Sequence, residues 1–534
     1  MTSAAEATES VTPRPRRHLE VGVFLFFLAL YALSGPGRID MIDGQYRFEV
    51  SWNLVESGRP IVRDVFLKAR TGLDGARYSY YGPAASVAAA PLVALGYVFG
   101  GEDGELARFL FSFTSAVFAA GTLALLLHWW LRMGFSARKA LAWTGVVGLA
   151  TLLWPLATST FDQGQHAFFI LAAAYTGSRA VVEPNCKRWA LLCGLCAGGL
   201  LLYQLTYAVV APVLAISLLG ERRPLDLRPA WPRLAIFAAA FAGCAALAGL
   251  YNTLRFGSPL DIGAIPGHPG FGNPIVGALG LLLSPGKGVL WFSPVMALQL
   301  WSLRHLLGAK QVLAATAIGV AACHFLLIAS MTFYGGDWCW GPRYWVTTLP
   351  LLALGLPYLQ FGSQARRWAA RTLVGTGLLV QLAGLSMDHQ GFFFAHALPP
   401  WFWTDTTFNF RHSQLAYRAH ELRGLFTGEK PARTIPFRPG PYAALPTYCI
   451  FGTEPRISPE WMKDFPVFYV PRPWPLWMPR LPEESQPVPV VPAACVLVLV
   501  GALGSLQVRR GLRMTPPRAA GTLTAPDPDH TVQP

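Results

Sequence analysis

Long apolar runs recur along this chain; VGVFLFFLALYAL, AIFAAAFAGCAALAGL and LAATAIGVAACHFLLIA are three of them. A helix crosses a bilayer with about 18 to 20 apolar residues. In lipid, only helices and closed barrels satisfy their own backbone hydrogen bonds. These runs are too long and too uniformly apolar for barrel strands. The expected fold class is therefore an all-α polytopic membrane protein with about 12 transmembrane helices, each long enough to span. The spans are placed near 21–35, 106–131, 140–159, 165–180, 188–203, 204–219, 233–252, 289–305, 311–332, 344–360, 370–387 and 490–507. Only 13% of the residues are charged, about half the ~25% of soluble domains.

A net charge of +14 would suit a nucleic-acid partner, but its distribution argues against one. With the N-terminus inside, the basic clusters Arg14/Arg16/Arg17, Arg132/Arg138/Lys139, Arg222/Arg223/Arg228/Arg233, Arg366/Arg367/Arg371 and Arg509/Arg510/Arg513 all fall on the inner side. This is a positive-inside pattern. It places both termini in the cytoplasm and the protein in the cell inner (plasma) membrane. Arg14, Arg16 and Arg17 precede the first apolar run as they would in a secretory signal. SGPGRID follows it with charge and proline in place of a cleavage site, so the run reads as a retained helix. The apolar stretch 80–100 would invert every later helix if it crossed. The charge pattern therefore makes it interfacial or re-entrant.

The chain divides into a disordered cytoplasmic tail (1–20), a transmembrane domain (21–387) with an outer loop at 36–105, and an outer Pro- and aromatic-rich segment (388–487). The last span (488–507) and a second disordered tail (508–534) follow. The outer 388–487 segment reads as a lid or cap. Among eight cysteines, Cys193 and Cys196 spell CGLC inside an apolar helix, where packing explains them better than redox chemistry. No metal-ligand spacing occurs, so no metal and no cofactor is expected.

Four outer-face stretches carry groups capable of chemistry. In SGPGRIDMIDGQYRFEVSW, Asp40 and Asp43 follow the end of the first span. A short interfacial helix is expected from there, with Arg47, Glu49, Asn53 and Glu56 toward water. Asp43 either caps that helix or serves as a base, and spacing leaves both open. Asp40 either acts with it, pairs with Arg38 or marks the water boundary. In MTFYGGDWCWGPRYWVTTLP, glycines and Pro342 force a turn, and Asp337 and Trp340 surround Arg343 at the top of an entering helix. An Arg near lipid is costly unless paired or functional, and its planar fork suits a phosphate. In LLLSPGKGVLWFSPV, Lys287 lies between two glycines; it is either a phosphate ligand or an interfacial lysine in a turn. In STFDQGQHAFF, Asp162, Gln163, Gln165 and His166 converge, and His166 bonds either a substrate or a backbone group.

Taken together, these stretches resemble the membrane glycosyltransferases of the GT-C superfamily, in particular the branch of protein mannosyltransferases and aminoarabinose transferases (glycosyltransferase family 39-like). That branch carries an Asp-Glu-x-x-Tyr motif after its first helix. Here Asp43-Gly44-Gln45-Tyr46 is similar, with Gly in place of Glu and the Tyr one residue early. RFEVSWNLVESGRPIVRDV and YSYYGPAASVAAAPLVALG look like the two juxtamembrane helices of the outer face. SPGKGVLWFSP and YGGDWCWGPRYW are similar to stretches found in bacterial members. The resemblance implies a GT-C-like fold and transfer of a sugar from a polyprenyl-phosphate donor to an envelope glycan, lipid or protein acceptor, with inversion. It makes Asp43, with Asp40, the catalytic acids. Arg343 and Lys287 would hold the donor phosphate, and Tyr46, His166, Asp337 and Trp340 would line the substrate. The rival readings are a lipid-sugar flippase or transporter and a non-catalytic envelope scaffold.

Overall fold

Helices dominate because each apolar run must satisfy its own backbone in lipid. The structure is a computed structural model. It describes residues 13–37, 39–62, 69–101, 104–220, 227–264, 270–336, 339–387, 389, 392, 407–427 and 490–515. Asp337 and most of 388–487 lie outside them, as do Arg38, Asp64 and Cys449.

The chain begins with α1 (Pro13–Ser34), followed by α2 (Ile42–Ser57), a hairpin of β1 (Ala69–Thr71) and β2 (Arg77–Ser79), and α3 (Ala84–Gly100). Next come α4 (Glu105–Phe111), α5 (Thr114–Arg132), α6 (Ala137–Leu149), α7 (Leu153–Ala157), α8 (Gln163–Val182) and α9 (Cys186–Gly199). A run of 3-10 turns around α10 (Ala211–Ala215) leads into α11 (Leu227–Phe256). After these follow α12 (Pro274–Leu282), α13 (Val289–Phe292), α14 (Met296–Ala309), α15 (Gln311–Ala329), α16 (Leu349–Leu352) and α17 (Gln364–Ser386). The described part closes with α18 (Gln414–Thr427) and α19 (Val490–Arg513).

Among the described residues, five helices are long and apolar enough to cross a membrane: Arg16–Ser34, Leu106–Arg132, Ala230–Phe256, Gln311–Ala329 and Val491–Arg513. Each matches an expected span. The other seven expected spans are helical but interrupted or more polar. The 140–159 stretch breaks between α6 and α7, the two spans at 188–203 and 204–219 pass from α9 into 3-10 turns after Gly199, and 289–305 breaks at Ser293 and Pro294. Proline removes a backbone donor, and side chains reach carbonyls near two such breaks: Gln381 donates to the Phe292 carbonyl at 2.7 Å and Trp130 to the Leu354 carbonyl at 3.2 Å. The helices also outrun their apolar cores. Helix α1 begins at Pro13 and α19 ends at Arg513, inside the stretches expected to be disordered tails.

Helices α1 and α19 meet through small residues. A Cβ on Gly22 would stand 2.7 Å from the Gly504 carbonyl oxygen, and one on Gly504 would stand 2.6 Å from the Phe26 nitrogen. Such contacts bring backbones close where lipid supplies no hydrophobic drive for association. Ile39, Phe48, Ala89, Val93, Ala107 and Phe111 form a small core between α2, α3 and α4. Ser51 donates to the Ser86 carbonyl at 2.8 Å, and Ser86 donates to the Arg47 carbonyl at 3.0 Å, pinning α2 to α3.

Two expectations for α2 are corrected. Its N-cap is Met41, with no side-chain cap bond, and Asp43 lies in the first turn. Arg47 and Glu49 are buried and do not face water, although Glu56 does. The face of α2 that carries them packs against the protein, so they turn inward to partners at the start of α8 and on α2 itself. Glu49 accepts from Gln45 Nε2 at 3.3 Å.

Candidate active site

The first turn of α2 presses against the turn before α8. An added Cβ on Gly44 would lie 2.2 Å from Thr160 Oγ1, so no larger side chain fits there without displacement. Steric contact thus accounts for glycine at this position. The contact sets the carboxylates on either side of Gly44 into two different places.

Asp40 binds back into the protein. Its oxygens accept from Ser159 Oγ at 2.7 Å, the Thr160 amide at 2.8 Å and Thr160 Oγ1 at 2.5 Å. It borders a small cleft of about 520 Å³ shared with Ser159, Trp340 and His389. Asp43 instead faces a cleft of about 1220 Å³, counted to its open mouth, together with Arg47, Asp162, Arg255 and Arg343.

Arg343 follows a loop that turns through Gly336 and Gly341, at φ +75° and +63°, a region that favours glycine. Its Nη1 stands 3.5 Å from Asp43 Oδ2, and both side chains are buried. The guanidinium lies over the Phe161 ring at 3.9 Å. The Tyr81 hydroxyl donates to Asp43 Oδ1, and Tyr80 donates to Tyr81 at 2.7 Å. Burial, together with the neighbouring Asp43, pushes the Tyr81 phenol well above its usual range, so it stays protonated and donating at neutral pH.

A second ion pair runs alongside. Arg47 Nη2 reaches Asp162 Oδ2 at 2.7 Å, and Arg47 covers the Tyr81 ring at 4.5 Å. Burial would raise the Asp162 carboxyl, but Arg47 and then His166 overcome it and hold Asp162 below the usual carboxylate range. His166 Nε2 lies 3.4 Å from Asp162, and its Nδ1 shares a 2.6 Å hydrogen bond with Tyr207. His324 stacks on the Tyr207 ring at 5.7 Å and also lines the cleft.

Arg255, at the C-terminal end of α11, is held by neutral oxygens. It donates to the Ser79 carbonyl at 2.6 Å and to Asn252 Oδ1 at 2.7 Å, and it packs on the Tyr251 ring at 3.8 Å. The same cleft is also lined by apolar side chains, Leu202, Leu205, Ala248, Ile328 and Met331. Two of these residues lie on the long apolar helices α11 and α15. The cleft thus carries charged and apolar side chains together.

The structure therefore brings Asp43 and Arg343 together. It leaves Asp40 on the neighbouring cleft and Tyr46 buried, 6.0 Å ring to ring from Tyr81. His166 lies behind Asp162. Lys287 does not line the large cleft. Its Nζ donates to the carbonyls of Cys339 at 3.0 Å and Gly341 at 3.1 Å. Trp340 packs edge-on against Phe292 and borders the small cleft. Asp337 lies outside the described residues. The cleft residues that sequence reading passed over are Arg47, Tyr80, Tyr81 and Arg255. The doublet Tyr80-Tyr81 beside Gly82-Pro83 was the available signal, whereas nothing local marks Arg255. Among the described residues, no three His, Cys, Asp or Glu side chains group as a metal site would require.

No protein-family model matches the chain, and no curated protein matches it. Among the solved structures similar to it are three. One is ArnT from Cupriavidus metallidurans bound to undecaprenyl phosphate, at 15% identity and TM-score 0.46, covering 93% of this chain and 77% of that one. The second is the oligosaccharyltransferase of Archaeoglobus fulgidus in its apo form, at 13% identity, TM-score 0.43 and 74% of this chain. The third is the archaeal oligosaccharyltransferase AglB from Archaeoglobus fulgidus with an inhibitory peptide and a dolichol-phosphate, at 12% identity, TM-score 0.43 and 74% of this chain. This chain spans 60% of each of the last two.

Proposed function

We propose that this chain is an integral-membrane glycosyltransferase of the GT-C type. It moves a sugar from a polyprenyl-phosphate donor to an acceptor hydroxyl on the outer face. The observation that carries this reading is the 3.5 Å approach of Asp43 to Arg343 in a cleft lined by both charged and apolar side chains. A lipid-linked anionic donor matches that mixed lining, because its prenyl chain suits the apolar side chains and its phosphate suits the guanidiniums.

In this scheme the acceptor oxygen attacks the anomeric carbon as the bond from that carbon to the phosphate oxygen breaks. The hydroxyl proton passes to Asp43, and polyprenyl phosphate leaves with the electron pair. A single displacement inverts the anomeric centre. A well-placed base contributes about 100- to 10,000-fold. Arg343 and Arg255 face the charge growing on the leaving phosphate, the form of stabilisation that preorganised cations provide best. Arg255 takes this place in the scheme in preference to Lys287, whose amine is bound to carbonyls. Tyr80, half-buried on the cleft, offers a ring face to the sugar.

The test uses the full-length protein in nanodiscs with a polyprenyl-phosphate-linked sugar and membrane extract as acceptor. Wild type is expected to bind polyprenyl phosphate and to release it on transfer, and Asp43→Asn to bind it without transfer. Full turnover by Asp43→Asn removes the base. Movement of the lipid-linked sugar across the bilayer without transfer would establish the flippase instead.

A further inference from the structure

We infer that Gln414 and Lys287 are positioning residues for Arg343, so that the outer segment around α18 helps shape the donor site and is not only a cover. This rests on the reading of Arg343 as a donor-phosphate group.

Arg343 closes a short loop whose preceding turn at 339–341 is gripped from two sides. Lys287, buried in the turn between α12 and α13, donates to the carbonyls of Cys339 and Gly341 at 3.0 and 3.1 Å. Gln414, in the first turn of α18, spans the same turn in the opposite sense. Its Nε2 donates to the Cys339 carbonyl at 3.1 Å, and its Oε1 accepts from the Gly341 amide at 3.2 Å. A two-point amide bridge of this kind fixes both the position and the rotation of the peptide it holds.

The two clamps are themselves joined, since the Gly286 amide donates to the Thr407 carbonyl at 3.0 Å. Arg418, one turn along α18 from Gln414, places its guanidinium 5.5 Å from the Trp340 ring, inside the same loop. Gly341 leaves this turn at φ +63°, and an added Cβ there would meet Phe292 at 2.8 Å, so the loop has few alternative paths. Arg343 follows two residues later and reaches Asp43. Shifting the turn moves the guanidinium, and neither Gln414 nor Lys287 lines the cleft itself.

The experiment measures the Kd for undecaprenyl phosphate, as the probe, with full-length protein in nanodiscs. Gln414→Leu is expected to weaken binding about 3- to 10-fold, the loss of one hydrogen-bonded bridge, and Lys287→Met about 10- to 100-fold. Gln414→Glu keeps the acceptor for the Gly341 amide and is expected to fall between wild type and Gln414→Leu. It also supplies the reading if Gln414→Leu fails to fold. The deciding measurement is the double-mutant cycle with Arg343→Ala. In that background the Gln414 substitution should change affinity less than about 2-fold, because its effect runs through the missing guanidinium. An undiminished effect in the Arg343→Ala background overturns the inference while leaving the donor site standing. Unchanged affinity in Arg343→Ala itself overturns the donor reading, and the inference with it.

Discussion

Asp40 and Asp43 stand one helical turn apart in sequence and on opposite sides of a packing contact in space. Asp40 is taken up by the amide and hydroxyls of residues 159 and 160. Asp43 meets a guanidinium and a phenol at the edge of the large cleft. One carboxylate joins two pieces of chain, and the other is presented to whatever fills the cleft. A carboxylate acts as a base only if a substrate proton can reach its oxygens, so the partners of each acid, and not its position in the motif, separate structure from chemistry.

The sharpest way to break this contrast is to neutralise each acid in turn. Asp43→Asn should lose about 100- to 10,000-fold in transfer per folded molecule, the loss expected for a missing base, beyond whatever stability it loses by leaving buried Arg343 without its carboxylate. The contrast collapses if Asp40→Asn shows the same activity loss at full stability. A large effect on stability is expected from Asp162→Asn, which leaves Arg47 buried without its counter-ion at a cost of about 3–5 kcal/mol, read as lost folded protein in a heat challenge. Because the folded-state carboxyl of Asp162 lies below its unfolded value of about 3.9, its stabilisation is present above about pH 4 and is lost as pH falls below that. Asp162→Asn should therefore flatten the acid side of the stability profile.

Smaller effects sharpen the packing side of the comparison. Gly44→Ala forces a Cβ onto Thr160 and should cost about 1–3 kcal/mol, the usual penalty of overpacking. Activity should fall with it if the shift carries Asp43 away from Arg343, and comparing turnover per folded molecule with wild type reads this directly. Asp40→Asn keeps an acceptor oxygen and is expected to cost about 1 kcal/mol, with turnover per folded molecule unchanged.

Apolar runs predicted helices at every placed span, because the lipid requirement acts on each run locally. The number of spans was less legible. Helices break near Pro294 and Pro357, where Gln381 donates to the Phe292 carbonyl and Trp130 to the Leu354 carbonyl, and no local pattern reports those neighbours. The same limit explains Arg47 and Glu49. Their helical spacing was readable, but the face they occupy depends on tertiary packing, such as the distant Asp162 that meets Arg47. Lys287 between glycines looked like a phosphate cradle, yet its amine closes a turn that lies more than fifty residues later in the chain.

By itself, then, the sequence determined the helical class and the apolar surroundings it needs, since these follow from residue type and near-neighbour period. Tertiary structure alone decided that Asp43 faces Arg343, that Asp40 does not, and that Arg255 joins the cleft. Charge acts over a few ångströms, and only folding sets which distant residues come within that reach.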